Sequence, residues 1–371
     1  MRLPNRLDWS LAVALAVMAI GGCATSPGSI GGDREALQLQ IQTLEARLRT
    51  LEARPGQVSL AVTNARAAVA FIWGTYTFVD PGGRPLRHVL NDEGEPIADP
   101  HGVPLVDLAG TGPTAVTDYS GTAFLVDTQG HLLTNRHIAE PWWGDESSAP
   151  LLTAGLRPVF LRLRAFFQER PDGVPLEVVR VDAEQDVALA RTVGWIPTAA
   201  PLPLHPEPER LREGQPVVLV GYPTGLDAVL ARLDAREQAA LERATGPDRY
   251  TLAELLARTH RLAPTMTGGF LWEVLPDTLV YDARTTGGGS GGPLLDRQGR
   301  VIGINAAYLP EFEGANYGVP IRLGGALLTG GGLTSDGPTR ETPEALAASA
   351  ARGEAPLASD GLDQPVMQNR R

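Results

Sequence analysis

Between Thr117 and Val220 the chain is cut by turn residues into short apolar runs, and this rhythm narrows its fold more than any other feature. Thr122–Val126, His131–Thr134, Val159–Leu163, Leu176–Val181, Val187–Ala190 and Pro216–Val220 are rich in β-branched and aliphatic residues and too short for ordinary helices. An earlier run, Val69–Val79, adds aromatic residues to the same pattern. The 42 Gly and 31 Pro supply turns, and 43% hydrophobic against 20% charged residues supplies a core. Short strands closed by frequent turns predict an all-β body, a sandwich or a barrel.

Two segments interrupt the pattern. Residues 80–116 contain three echoes, Asp80 to Leu86, Asn91 to Ile97 and Asp99 to Leu105, each a turn followed by an apolar residue; they read as short hairpins inserted on the surface. Residues 226–262 carry leucines at helical spacing, with Thr251 and Glu254 placed as a capping box after Gly246-Pro247, and read as a helical insertion. After Leu328 periodicity fades into Gly, Ala, Ser, Pro and Thr, so residues 329–371 are expected to form a disordered tail.

The N-terminal region has its own organisation. Arg2 and Arg6 precede an apolar run from Leu11 to Ile20, which matches a secretory signal and is short for a membrane span. Cys23, the only cysteine, follows at Ile20-Gly21-Gly22-Cys23, which resembles the bacterial lipobox. The expectation is a signal peptide over residues 1–22, lipidation at Cys23, and a protein held to the bacterial cell envelope facing the periplasm. Ala24 rather than Asp after the cysteine favours the outer membrane, by resemblance to enterobacterial sorting. Leu37, Ile41, Leu44, Leu48 and Leu51 form a heptad seam within a 23–56 spacer, ended by Pro55-Gly56. That helix serves either as a solvated spacer or as a contact between copies of the chain. A net charge of −11 without a basic run argues against a nucleic-acid partner, and one cysteine cannot build a disulfide or a cysteine-based zinc site.

The sharpest local feature is Thr285-Thr286-Gly287-Gly288-Gly289-Ser290-Gly291-Gly292-Pro293, followed by strand-like Leu294-Leu295. Glycines around a serine leave its hydroxyl exposed and let backbone N–H groups, here of Gly288 and Ser290, converge on one point as an oxyanion hole. Alone, such a loop is equally a flexible linker. A nucleophilic serine needs a base, and four of the six histidines, His88, His101, His205 and His260, lie in insertions or a proline-rich stretch. His131 begins a strand and His137 falls just past its end, where a rigid scaffold can hold a base; His137 is therefore preferred. Asp186 directly precedes the apolar run Val187–Ala190 and is preferred over Asp182 as the carboxylate that orients the imidazole.

Leu133-Thr134-Asn135-Arg136-His137, Asp186-Val187-Ala188-Leu189-Ala190 and Gly288-Gly289-Ser290-Gly291-Gly292-Pro293 resemble the three catalytic blocks of trypsin-like serine proteases, in that family's order and nearest its bacterial HtrA/Deg branch. The resemblance implies two six-stranded Greek-key β-barrels over residues 57–328, with His137, Asp186 and Ser290 in the cleft between them. It also implies an endopeptidase that needs no metal or organic cofactor and acts on protein or peptide substrates. Pocket walls are expected from Arg284–Gly287, from Asn305, Ala306, Ala307 and Tyr308, and from Asn316 to Gly318. The tail after the body is expected to hold no PDZ domain, and Gly289 stands where digestive relatives carry an aspartate. The competing expectation is a noncatalytic, membrane-tethered scaffold on the same fold.

Overall fold

The computed structural model describes residues 64–308, 314–331 and 333–334. The strands of the N-terminal half are β1 (Val69–Val79), β2 (Arg87–His88), β3 (Val106–Asp107), β4 (Thr117–Leu125), β5 (His131–Thr134), β6 (Arg157–Phe167), β7 (Arg170–Val181) and β8 (Ala188–Thr192). Two short helices, α1 (Arg136–Ala139) and α2 (Ala149–Thr153), separate β5 from β6. The C-terminal half contains β9 (Pro216–Gly221), β10 (Thr265–Val274), β11 (Leu279–Tyr281), β12 (Pro293–Leu295), β13 (Val301–Tyr308) and β14 (Asn316–Pro320). Between β9 and β10 lie α3 (Gly225–Leu230), α4 (Ala235–Thr245) and α5 (Arg249–Arg258), and after β14 come α6 (Ile321–Leu328) and β15 (Leu333–Thr334).

These strands close into two six-stranded antiparallel barrels. One runs β7-β6-β1-β4-β5-β8 and closes through β7–β8 pairing; the other runs β10-β11-β14-β13-β12-β9 and closes through β9–β10. Each barrel fills its own interior. Ile72, Tyr76, Phe160, Leu163 and Leu176 pack within the first, and Leu219, Leu271, Leu279, Tyr281 and Leu294 within the second. A third cluster unites Phe71, Phe124, Leu133 and Phe166 of the first barrel with Val220, Leu295, Ile304 and Val319 of the second. Burial on both faces explains why β1 is mostly apolar instead of alternating, with the buried Thr75 and Thr77 hydroxyls donating to Asp118 Oδ1 and Ala115 O. At Gly74 the ring of Tyr119 on β4 occupies the place a Cβ would take, and the Tyr119 hydroxyl donates to Ile138 O at 2.8 Å.

The 80–116 segment is built from three side-chain-closed turns. Oδ1 of Asp80 accepts from Arg84 N, Oδ1 of Asn91 from Glu93 N and Glu95 N, and Oδ1 of Asp99 from His101 N and Val103 N. The 225–262 region is helical, but its caps differ from the sequence reading. α5 starts earlier, with Asp248 accepting from Tyr250 N and Thr251 N, and the capping box belongs to α4, between Asp234 and Glu237. Asp248 wins because its carboxylate reaches two successive free N–H groups while Thr251 already lies within the first turn. Leu226, Val229, Leu252, Leu256 and Leu262 enter the cluster shared by the barrels, so these helices are part of the core. The body also runs past Leu328. Leu333 and Thr334 pair with Val181 and Arg180, extending the first barrel's sheet where an unstructured tail was expected to begin. The signal, Cys23, the heptads and the tail from residue 335 lie outside the described residues.

Candidate active site

β5 delivers His137 to the seam between the barrels. The strand ends at Thr134, Asn135 caps α1, and His137 occupies its first turn. Asn135 is fully buried and its Nδ2 donates to Asp186 O at 2.8 Å, which fixes the backbone that carries the carboxylate. Asp186 then accepts twice from one residue: His137 N donates to Oδ1 at 3.0 Å, and the ring Nδ1 lies 2.7 Å from Oδ2. A carboxylate accepting at Nδ1 assigns the proton to that nitrogen and leaves Nε2 free to take another. Arg136 staples the same turn from outside, donating to Asp182 O and Ala183 O while its guanidinium lies over Trp143 at 4.7 Å. Asp182 closes the turn by accepting from Glu184 N and Gln185 N, and His131 pairs with Asp127 at 2.6 Å beside Gly130. Neither belongs to the His137–Asp186 pair.

The serine loop is defined by its peptide planes. Gly287 O accepts from Thr224 N at 2.6 Å, Gly288 O from Thr122 Oγ1 at 2.8 Å, Gly289 O from Gly292 N at 3.1 Å and Ser290 O from Thr122 N at 2.8 Å. In a trans peptide the N–H points opposite its carbonyl, so these four bonds also aim the four following N–H groups. Gly289 N donates to Thr286 O and Gly291 N to Asn305 O. The N–H groups of Gly288 and Ser290 have no acceptor among the described residues, and they belong to the same loop as the serine hydroxyl. Two glycines are required by this path. Gly288 has φ +83°, and a Cβ there would lie 2.7 Å from Tyr222 O; at Gly291, φ +85°, a Cβ would run into Thr122 O. Ser290 Oγ donates to Ala306 O on β13 at 3.0 Å rather than to the ring of His137.

Residues 121–304 match the trypsin-like peptidase domain. It is 27% identical over 212 residues to Protease Do-like 1, chloroplastic, of Arabidopsis thaliana, covering 56% of this chain and 38% of that protein. The chain spans about two-fifths of the length of the curated relatives it matches. Among solved structures it is similar to the Rv3671c protease of M. tuberculosis in its active form (TM-score 0.42, 17% identity, 75% of this chain and 87% of that one). It is also similar to the HtrA-type protease AlgWS227A with tripeptide (TM-score 0.42, 17% identity, 73% and 62%).

The expected pocket residues divide. Asn305 is an internal strut: it is buried, its Oδ1 accepts from the Tyr281 hydroxyl, and its Nδ2 lies 3.4 Å from Thr285 Oγ1. Asn316 is likewise turned inward, donating to Ala283 O at 2.8 Å. Gly318 sits opposite Asn305 in the β13–β14 pairing, 3.3 Å from the Tyr281 ring at its missing Cβ. Ala306 meets the serine loop through its carbonyl, and Ala307 and Tyr308 continue β13 opposite Tyr317 and Asn316. A shallow depression is lined by Arg284, Thr285 and Gly289 together with Thr265 and Thr267 of β10. Sequence reasoning missed Asn135, Thr122 and Thr224 as supports of the site. Thr122 sat inside a strand and left no local signal, whereas Asn135 lies two residues before His137 and its side-chain amide was a visible cue.

Proposed function

We propose that the protein is a serine endopeptidase in which Ser290 is the nucleophile, His137 the general base and Asp186 the residue that orients the base. The reaction begins with rotation of Ser290 Oγ away from Ala306 O. Oγ attacks the peptide carbonyl carbon and passes its proton to His137 Nε2; the carbonyl oxygen becomes an oxyanion held by the N–H groups of Gly288 and Ser290. The C–N bond then breaks, and the leaving amine takes the proton from His137, giving an acyl-serine. Water attacks the ester with its proton going to His137, and the proton returns to Ser290 as the acid leaves. Asp186 keeps the Nδ1 proton in place and stabilises the imidazolium that forms in each half.

The observation that carries this reading is the pair of N–H groups of Gly288 and Ser290 left without acceptors among the described residues, in a loop whose carbonyls from Gly287 to Ser290 are each engaged. Two N–H donors left open beside a serine hydroxyl are placed to receive the oxygen of a ligand carbonyl. A fluorophosphonate probe is expected to label the full chain and to leave Ser290→Ala unlabelled; equal labelling of both refutes the assignment. Further, the substrates are exported or envelope proteins and the role is protein quality control or regulated proteolysis. The enzyme is held by a lipid on Cys23 at the periplasmic side of the envelope, the outer membrane being favoured. Cys23→Ala is expected to shift the protein from the membrane to the soluble fraction of lysed bacteria; an unchanged membrane fraction counts against the anchor.

A further inference from the structure

Thr122 stands on β4 in the first barrel, fully buried, with each of its polar groups committed. Its hydroxyl donates to Gly288 O at 2.8 Å and accepts from Tyr222 N at 3.2 Å; its N–H donates to Ser290 O at 2.8 Å; its carbonyl accepts from Thr134 Oγ1 at 2.7 Å. We propose that the Thr122 hydroxyl is a positioning residue for the oxyanion-binding N–H groups of Gly288 and Ser290, setting their aim from the opposite barrel. The inference rests on the proteolytic reading above.

The physical need arises from glycine. Residues 287, 288, 289, 291 and 292 lack side chains, so few steric barriers keep their peptide planes from turning over. If the Gly288–Gly289 plane rotated, Gly288 O would leave its partner, Gly289 N would leave Thr286 O, and the backbone angles that aim the neighbouring N–H groups would change. Among the described residues Thr122 is the one side chain outside the loop that donates to this backbone. A hydroxyl suits the place because it donates to Gly288 O while accepting from Tyr222 N, the start of the turn whose Thr224 N holds Gly287 O. One group therefore secures two adjacent planes. The same strand pairs with β5, which leads into His137, and the Thr134 hydroxyl closes that link. Base and oxyanion donors are thus referred to a common strand.

The test compares Thr122→Val, which keeps the shape and loses the hydroxyl, with Thr122→Ser, which keeps it. Both are made in the full chain, checked for folding by circular dichroism, and assayed for kcat and KM on fluorescein-labelled casein. The expected result for Val is a kcat lower by about 10²-fold with KM within about threefold, because the lost aim acts on the developing oxyanion and not on ground-state binding. Ser is expected to retain kcat within about threefold. A Val variant within about twofold of the parent kcat overturns the proposal, as does a Ser variant as slow as Val. Should Val not fold, Ser alone decides, since a drop of about tenfold or more there overturns it. A parent protein that neither cleaves casein nor takes the fluorophosphonate removes the proteolytic reading and this inference together; a labelled parent with an unaffected Val variant removes this inference alone.

Discussion

At the scale of residues, the site separates groups that announce themselves in sequence from groups that do not. Ser290 is marked by its glycines and His137 by its place at a strand end, and both cues are local. Asp186 was preferred for the apolar run that follows it, and that run is β8, which pairs with β5 so that the carboxylate reaches His137. Thr122 and Asn305 gain their meaning from contacts 166 and 24 residues away, which only barrel closure creates. Asn305 shows the cost of reasoning from position alone, since its side chain turns into the barrel to meet Tyr281 instead of lining a pocket. Tyr222 provides a stability prediction at this scale. Its ring meets Phe71 edge-on at 5.2 Å, but its buried hydroxyl has no partner among the described residues. Tyr222→Phe keeps the ring and removes the unsatisfied group, so stability is expected to be unchanged or to rise by about 1 kcal/mol in urea unfolding. A loss of about 1 kcal/mol or more contradicts the assignment of that hydroxyl as unsatisfied.

At the scale of elements, strand type was legible and strand ends were not. β6 and β7 run well beyond the apolar runs that marked them, because the barrel's hydrogen-bonded ladder continues through residues with no pattern of their own. β10 was harder to see. Gly268 and Gly269 interrupt it, and Gly269 is needed where a Cβ would press on Ala283 N and Asp282. The α3–α5 insertion is bound into the fold through both sequence-visible leucines and long-range polar contacts. Tyr250 packs against Phe166 at 6.2 Å under the Arg162 guanidinium, and Arg258 pairs with Asp172 on β7 at 3.2 Å. The exposed ion pair adds little, so the burial of the leucines holds the insertion. Leu256 is fully buried in the cluster shared by the barrels. Leu256→Ala is therefore expected to destabilise the whole body by about 2–5 kcal/mol in a single unfolding transition. Loss of the helices in a separate early transition, with the barrels unaffected, would contradict their place in that core.

At the scale of the whole molecule, each barrel carries one half of the proposed triad. The first holds His137 and Asp186 on β5, α1 and the turn before β8; the second presents Ser290 between β11 and β12. The shared apolar cluster and the Thr122 bonds join those halves, so the proposed nucleophile and base are held by the same contacts that make the body one unit. Two barrels were legible in the sequence because three motif blocks appeared in order, and the insertions were legible because they broke the period-two pattern. The seam between the barrels was not, because it is made by residues far apart in the chain. The account's central claim is that Ser290 is an activated nucleophile at this seam. It is tested most directly by exposing the folded full chain and its Ser290→Ala variant to a fluorophosphonate and locating the adduct by mass spectrometry. The account predicts one adduct, on Ser290, absent from the variant; no adduct on the folded parent chain, or one that persists in Ser290→Ala, would contradict it.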